Sequence, residues 1–196
     1  YTGNVVAMVG AVGPKTQNLV DNYAVQKHQV GSSIKPLTVY SAALDAGAVT
    51  PATTFDNYPV HLLNGNPWPK NSPNTYTGRT ILSTGIAKSI NTIAIQALQS
   101  VGVADAFAFA TEKLNLNLVA EDMNLSSLGL GGLTYGLTTE EMAAAYAAFA
   151  NNGVYNSPRT YVRVTKTDST TGEETVILEN EAESHVAMKE TTAYLM

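Results

Sequence analysis

Gln29-Val30-Gly31-Ser32-Ser33-Ile34-Lys35-Pro36-Leu37-Thr38 sets a serine and a lysine three positions apart just after a glycine. From there Ile34, Leu37, Ser41 and Leu44 recur at helical spacing, and Gly47 stops the pattern as a C′ residue. Pro36 lies close enough to the start to be tolerated. The pattern predicts a helix that opens near Ser32, so Ser32 and Lys35 share one face a turn apart. A serine hydroxyl is a poor nucleophile until a nearby base takes its proton. A lysine can be that base once burial or neighbouring positive charge lowers its pKa. The helix N-terminus would also aim free backbone N–H groups at an oxyanion formed there. The same residues suit an N-cap serine followed by a solvated lysine, and S-x-x-K by itself does not separate the two.

Ser89-Ile90-Asn91 follows 57 positions after Ser32 and is one of two S-x-N triplets, the other being Ser72-Pro73-Asn74. The later one sits between two helical patterns, so its hydroxyl and amide can face one cleft. There the hydroxyl could relay a proton and the amide could hold a substrate peptide group. A helix break with local caps would use the same residues.

The remaining segments give an order of elements. Val5 to Val9 is a continuous apolar run that reads as a buried strand, and residues 10–25 read as loop. Residues 50–80 hold five of the eight prolines and the only tryptophan, in Asn66-Pro67-Trp68-Pro69-Lys70-Asn71, and read as a long functional loop. Thr80 is placed to cap a helix over 81–88, and further helices are expected over 92–100 and 103–114. Leu128 to Leu133 reads as a glycine-rich connection. Thr138-Thr139-Glu140-Glu141 is a capping box, with Leu137 and Met142 as its hydrophobic staple. It opens a small-residue helix, Met142 to Ala150, expected to be central and ended by Asn151-Asn152-Gly153. Tyr161 to Val164 and Thr175 to Leu178 predict a hairpin around 168–172, and Ser184 is placed to cap a last helix. The order of helices inserted between strands predicts an α+β fold.

Composition narrows the function. Of the 196 residues 44% are apolar, which excludes a disordered or fibrous chain. Charged residues make up 14%, against a usual quarter or so, and 23 Thr, 16 Asn and 12 Ser fill the gap. A net charge of -5 with no basic cluster argues against nucleic-acid binding. The absence of cysteine rules out disulfides, thiolate catalysis and Cys-based metal sites. His28, His61 and His185 are scattered without metal-ligand spacing, and the glycine-rich 128–133 segment lacks a Gly-Lys-Ser/Thr ending, so no metal, nucleotide or other cofactor is expected. The longest small-apolar run, Met142 to Ala150, is far short of a membrane span. Both ends look cut, and the chain is read as a fragment.

Taken together, these segments resemble the transpeptidase domain of class A penicillin-binding proteins. Residues 2–10, Thr-Gly-Asn-Val-Val-Ala-Met-Val-Gly, are similar to that family's opening T-G-x-V-x-A-M-V-G strand. Gln29 to Thr38 is similar to its Q-P-G-S-x-F-K-P-F-T segment. Trp68-Pro69-Lys70-Asn71 with Gly78 to Thr80 resembles W-x-P-x-N…G-x-x-T, and Ala87-Lys88-Ser89-Ile90-Asn91 resembles A-x-S-x-N. Ala144-Ala145-Tyr146 and Phe149 to Gly153 are similar to the A-x-A-Y-x-x-F-A-N-x-G region. Several segments in the right order are far more specific than either short motif.

The resemblance implies a penicillin-binding-protein/serine β-lactamase-like fold, an antiparallel sheet packed by helices with an inserted helical subdomain. It implies catalytic roles for Ser32, Lys35, Ser89 and Asn91, with Trp68 and Asn71 as substrate-binding candidates. Ser32 would attack the terminal D-Ala-D-Ala carbonyl of a peptidoglycan stem peptide, Lys35 would take its proton, and Ser89 would pass one to the leaving D-Ala. Asn91 would hydrogen-bond the donor or the lysine, an amine would take the acyl group, and β-lactams would leave a stable acyl-Ser32. The family's third motif, K-T/S-G, does not occur here; Lys15-Thr16 and Lys166-Thr167 lack the glycine. Residues 1–196 are therefore expected to be the N-terminal part of one transpeptidase domain. The K-T-G segment, present as a companion chain or lost, and any glycosyltransferase domain would lie outside it. The implied location is the outer face of the bacterial cell membrane, held by an anchor not in this chain. A D,D-carboxypeptidase, a serine β-lactamase or a β-lactam sensor of the same superfamily shares the S-x-x-K motif and is the alternative.

Overall fold

The computed structural model describes residues 2–14 and 16–196. Tyr1 and Lys15, which belong to the opening segment and the 10–25 loop, lie outside them. The fold is α+β. In order it contains α1 (Ser41–Asp45), β1 (Thr54–Asn57), β2 (His61–Leu63), β3 (Asn66–Trp68), β4 (Gly78–Ile81), α2 (Leu82–Ala87) and α3 (Asn91–Val101). Then follow α4 (Val103–Ala108), α5 (Leu125–Leu130), α6 (Thr139–Ala150), β5 (Val154–Asn156), β6 (Arg163–Thr167), β7 (Glu174–Glu179), β8 (Ser184–Val186) and α7 (Glu190–Leu195). Among the described residues the strands form four two-stranded antiparallel ladders, β1–β4, β2–β3, β5–β8 and β6–β7, and no larger sheet. No helix among them is long and apolar enough to cross a membrane.

The expected helix after Gly31 forms, but its winding changes along its length. Gly31–Ile34 is a 3-10 turn, Pro36–Tyr40 is π-wound, and α1 is regular. Gly47 follows the end with φ +70°, the left-handed conformation a C′ glycine supplies. The run divides the core in two. Ile34 and Leu37 pack with Leu114, Leu116, Leu137 and Met188. Val39 and Tyr40 pack with Leu82, Ile93, Leu98 and Leu128. Helix α3 is the pillar of the second cluster, to which it contributes Ile93, Ala94, Ala97 and Leu98, all at 0% exposure. Each of its large side chains contributes about 1.5–3 kcal/mol by leaving water. Gly85 lets α2 cross α3 closely, because a Cβ there would come within 2.5 Å of the Ile93 Cγ2.

Several expectations are corrected. Val5 to Val9 is extended but is neither buried nor paired as a strand. Its segment is tied to the rest by the Asn4–Arg159 bridge, with the Val5 N–H on the Arg159 carbonyl at 2.8 Å, and by the Asn22 amide on the Met8 sulfur at 3.4 Å, and Val6 is 94% exposed. An apolar run becomes a buried strand only where a neighbouring strand and a covering layer exist, and among the described residues neither does. Helix α6 opens on its capping box, Thr138 and Glu141 each bonding the other's backbone N–H. It is not central, however: only Ala145 and Ala148 are buried. Ala143, Ala144 and Ala147 line an open groove of about 460 Å³ shared with residues 3–9. The 50–80 stretch is not loop throughout, since it carries β1 to β4. Asn64 and Gly65 both have positive φ and make the tight β2–β3 turn, an Asn-Gly hairpin signal left unread in the sequence. Thr80 lies in β4 and does not cap α2, whose N-cap is Ile81. Half of the glycine-rich connection is helix α5, capped by Asn124. Ser184 opens strand β8, and the last helix starts at Glu190 after Lys189. The hairpin expected from residues 161–164 and 175–178 forms with its first strand two residues later, as β6 and β7, the helix expected over 92–100 forms as α3, and the 151–153 stop is as expected.

Candidate active site

Lys35 is the buried centre of the site, at 1% exposure. It lies where the 31–45 helical run meets the α2–α3 junction. Its ammonium donates to the Ser89 carbonyl at 2.9 Å, the Ser89 Oγ at 3.1 Å and the Asn91 Oδ1 at 2.6 Å. A lysine has three N–H donors, so the set is complete. No acidic side chain pairs with it among the described residues, and burial lowers its pKa from 10.5 to about 8. At neutral pH about a tenth of such lysines carry a free amine, against about one in three thousand for a solvated one.

The bend that presents Ser89 follows from how α2 ends. The Ile90 N–H bonds the Gly85 carbonyl at 2.9 Å, the 6→1 bond of a Schellman ending. Ser89 occupies the C′ position with φ +51°. Glycine usually stands there, because an L side chain in the left-handed region costs about 1–2 kcal/mol. The position therefore keeps a hydroxyl at the expense of backbone strain, a pattern associated with functional sites. Asn91 is the first residue of α3, and its Nδ2 donates to the Lys70 carbonyl at 2.7 Å, which leaves Oδ1 facing the ammonium.

Ser32 lies on the exposed 3-10 turn, and its carbonyl accepts the Lys35 backbone N–H. Its hydroxyl makes no hydrogen bond among the described residues. The fold thus joins Lys35, Ser89 and Asn91 directly and sets Ser32 one turn away with its Oγ uncommitted. The turn itself is tied down from the far side. The Gln29 side chain donates to the Leu133 carbonyl at 2.6 Å and accepts the Leu133 N–H at 3.0 Å. The Tyr146 hydroxyl donates to the Ser33 carbonyl at 2.7 Å. Gly131 (φ +80°) packs so closely that a Cβ there would come within 2.0 Å of the Gly31 carbonyl oxygen. Buried Asp122 fixes this 131–134 loop by accepting the Thr134 N–H and hydroxyl at 2.7 and 2.8 Å. Gln29 and Tyr146 lie in legible sequence segments, but their roles depend on contacts more than a hundred residues apart, for which the sequence carries no local signal.

Trp68 is half-buried on β3, its ring tilted against His61 with centroids 6.0 Å apart. Asn71 faces into the protein, and its amide is bonded to Asn57, Thr75 and Thr92.

The penicillin-binding protein transpeptidase domain family model matches residues 1–195. The chain is 37% identical over 210 aligned residues to penicillin-binding protein 1A of Clostridium acetobutylicum, an alignment that covers all of this chain and 25% of that protein. Penicillin-binding protein 1A of Haemophilus influenzae superposes with a TM-score of 0.65 at 30% identity, over 84% of this chain and 24% of that one. The D,D-transpeptidase domain of a peptidoglycan glycosyltransferase from Eggerthella lenta shares the fold, with a TM-score of 0.70 at 24% identity over 89% of this chain and 48% of that one. The chain belongs to the penicillin-binding protein transpeptidase family. It spans about a quarter of the length of the curated relatives it matches.

Proposed function

We propose that this chain is the N-terminal part of a D,D-transpeptidase domain that cross-links peptidoglycan stem peptides through an acyl-Ser32 intermediate. The observation that carries this is the buried Lys35 ammonium, bonded to the Ser89 hydroxyl and the Asn91 carboxamide one turn from the exposed Ser32. The Ser32 Oγ attacks the carbonyl of the penultimate D-Ala, and Lys35, as its free amine, takes the hydroxyl proton. The tetrahedral intermediate breaks its peptide C–N bond. The proton returns from Lys35 by way of Ser89 to the leaving D-Ala nitrogen. An amine from a neighbouring stem peptide then attacks the acyl-Ser32 carbonyl. That amine gives up a proton to Lys35 as it attacks, the same relay hands this proton to the departing Ser32 Oγ, and a new peptide bond remains. Asn91 holds the lysine and hydrogen-bonds the donor peptide. A β-lactam presents a strained amide to the same serine; the ring nitrogen stays attached to the acyl group, so the adduct persists. The K-T/S-G strand that would bind the substrate carboxylate is assigned to a segment outside these 196 residues, in the same protein or a companion chain. Action at the outer face of the bacterial membrane, through an anchor elsewhere in the protein, belongs to the same proposal.

Product analysis of the full-length protein with a pentapeptide-bearing glycan tests the assignment. Cross-linked dimer and free D-Ala are expected. Free D-Ala with no dimer would make it a carboxypeptidase, fast turnover of penicillin a β-lactamase, and acylation with neither product a sensor.

The lysine's pKa gives a second expectation. The base is the unprotonated form, so acylation by a fluorescent penicillin should rise about tenfold per pH unit below pH 8 and level off above it. A rate flat from pH 6 to 9 would remove Lys35 from the role of base. Ser89 gives a third. Ser89→Gly relieves the left-handed strain and should raise the midpoint of thermal unfolding by roughly 2–4 °C. It should also slow acylation by about two orders of magnitude, since the relay hydroxyl is gone. A stabilised variant with wild-type acylation would exclude Ser89 from proton transfer.

A further inference from the structure

Helix α3 has no side-chain cap of its own, because its N-cap residue is Ile90. The cap comes instead from a distant loop. Asn71 accepts the Thr92 N–H on its Oδ1 at 3.2 Å, satisfying one of the helix's unpaired donors. Its Nδ2 donates to the Thr75 carbonyl at 2.9 Å and to the Asn57 Oδ1 at 2.7 Å. Asn57 is 2% exposed; its Oδ1 also accepts the Thr92 hydroxyl at 2.6 Å, and its Nδ2 donates to the Thr77 Oγ1 at 2.9 Å. These bonds fix which way each amide points. Turning Asn71 over would set two oxygens against each other at Asn57 and again at Thr75, and two N–H groups against each other at Thr92.

The consequence is one residue away. Lys70, next to Asn71, offers the carbonyl that takes the Asn91 Nδ2 at 2.7 Å. A reversed Asn91 amide would face oxygen to oxygen at Lys70 and N–H to ammonium at Lys35. The direction of the Asn91 carboxamide, and with it the acceptor on Lys35, is therefore set by where the 70–77 loop is pinned.

We propose that Asn71, locked by the buried Asn57–Thr92 pair, is a positioning residue that holds the Lys70 carbonyl and the first turn of α3 so that Asn91 presents its oxygen to Lys35. It replaces the substrate contact expected for Asn71 from the sequence, and it rests on the catalytic reading of Lys35 and Asn91 above. No ion pair reaches Lys35 from the 31–45 run, the α2–α3 bend or α3 among the described residues, so a lost acceptor should register directly in its protonation.

The test uses the full-length protein and a fluorescent penicillin, with rates normalised to the sites labelled at saturation and measured from pH 6 to 9.5. Asn71→Ala is expected to slow acylation about 10- to 100-fold, the scale of a misplaced catalytic group. The midpoint of its rising pH limb should fall by half a unit or more, because an ammonium with one acceptor fewer loses its proton more readily. The KM for a pentapeptide donor should stay within twofold. Thr92→Val, which removes only the hydroxyl donor to Asn57, should move rate and midpoint the same way by less, and it carries the test if Asn71→Ala does not fold. A slower rate at an unshifted midpoint would leave Asn71 a purely structural residue, and a raised donor KM with normal acylation would make it a substrate contact. Either result overturns the proposal. Ser32→Ala, run alongside, separates the two layers. If it labels like wild type, the catalytic reading fails. If it does not label and the Asn71 variant behaves as wild type, only the positioning role fails.

Discussion

Full-length protein carrying Ser32→Ala is expected to gain no covalent mass from a β-lactam, where the wild type gains one adduct per chain. The loss should exceed about four orders of magnitude in rate, as removal of a nucleophile does elsewhere. The structure supports this by elimination among neighbouring hydroxyls. Ser33 Oγ is spent on the Val30 carbonyl at 2.6 Å, and Ser89 Oγ is held by the lysine at 3.1 Å. Among the described residues, only Ser32 combines an exposed, uncommitted hydroxyl with a place one turn from Lys35. Intact-mass spectrometry after brief incubation reads the result, and peptide mapping locates the adduct. An adduct that survives the substitution would move the nucleophile to another residue.

Lys35→Met should remove nearly all acylation, by about 10³-fold, while leaving the protein folded. Two effects oppose each other in its stability. The substitution leaves the Ser89 carbonyl and the Asn91 Oδ1 without their donor, which is destabilising. It also removes a positive charge that the folded state holds less readily than water does. Because burial depresses the lysine's pKa to about 8, the folded protein binds fewer protons than the unfolded chain between about pH 8 and 10.5. Wild-type stability should therefore gain a rising contribution from this group across that window, with the whole penalty present below it. The Lys35→Met variant should lose that contribution, so the difference in unfolding midpoint between the two proteins should move in favour of the wild type from pH 8 upward. Thermal melts of both at pH 7 and pH 9.5 measure it. A constant difference would mean that the lysine is not held against its charge, and acylation within tenfold of wild type would show that another group acts as base.

The two results depend on each other through geometry. The S-x-x-K spacing sets one helical turn between hydroxyl and amine, but the amine's pKa falls to about 8 only because the α2–α3 junction buries it. Helix α3 does this as part of the core, and its first turn is capped from the 70–77 loop. A mutation in that loop should therefore weaken the chemistry without touching Ser32.

What could be read in the sequence was local. The Thr138–Glu141 capping box, the Gly47 stop, the 91–101 helix and the 163–179 hairpin follow from repeats of 3.6 and 2 residues and from turn chemistry carried by a few adjacent side chains. The placement of Ser32 one turn from Lys35 is legible for the same reason, since both lie within one helical turn. The Asn64-Gly65 turn was equally local and was missed because prolines and a tryptophan around it suggested loop. The tertiary structure alone decided the rest. Val5 to Val9 has a strand's composition, yet a strand exists only with a neighbour to bond. Met142 to Ala150 has a central helix's composition, yet one side of α6 stays open. Lys35 meets Ser89 and Asn91 across more than fifty residues, and Asn71 turns inward to Asn57 and Thr92. Such contacts, and the desolvation that shifts the lysine's pKa, depend on which distant segments pack together, and no short-range pattern encodes that.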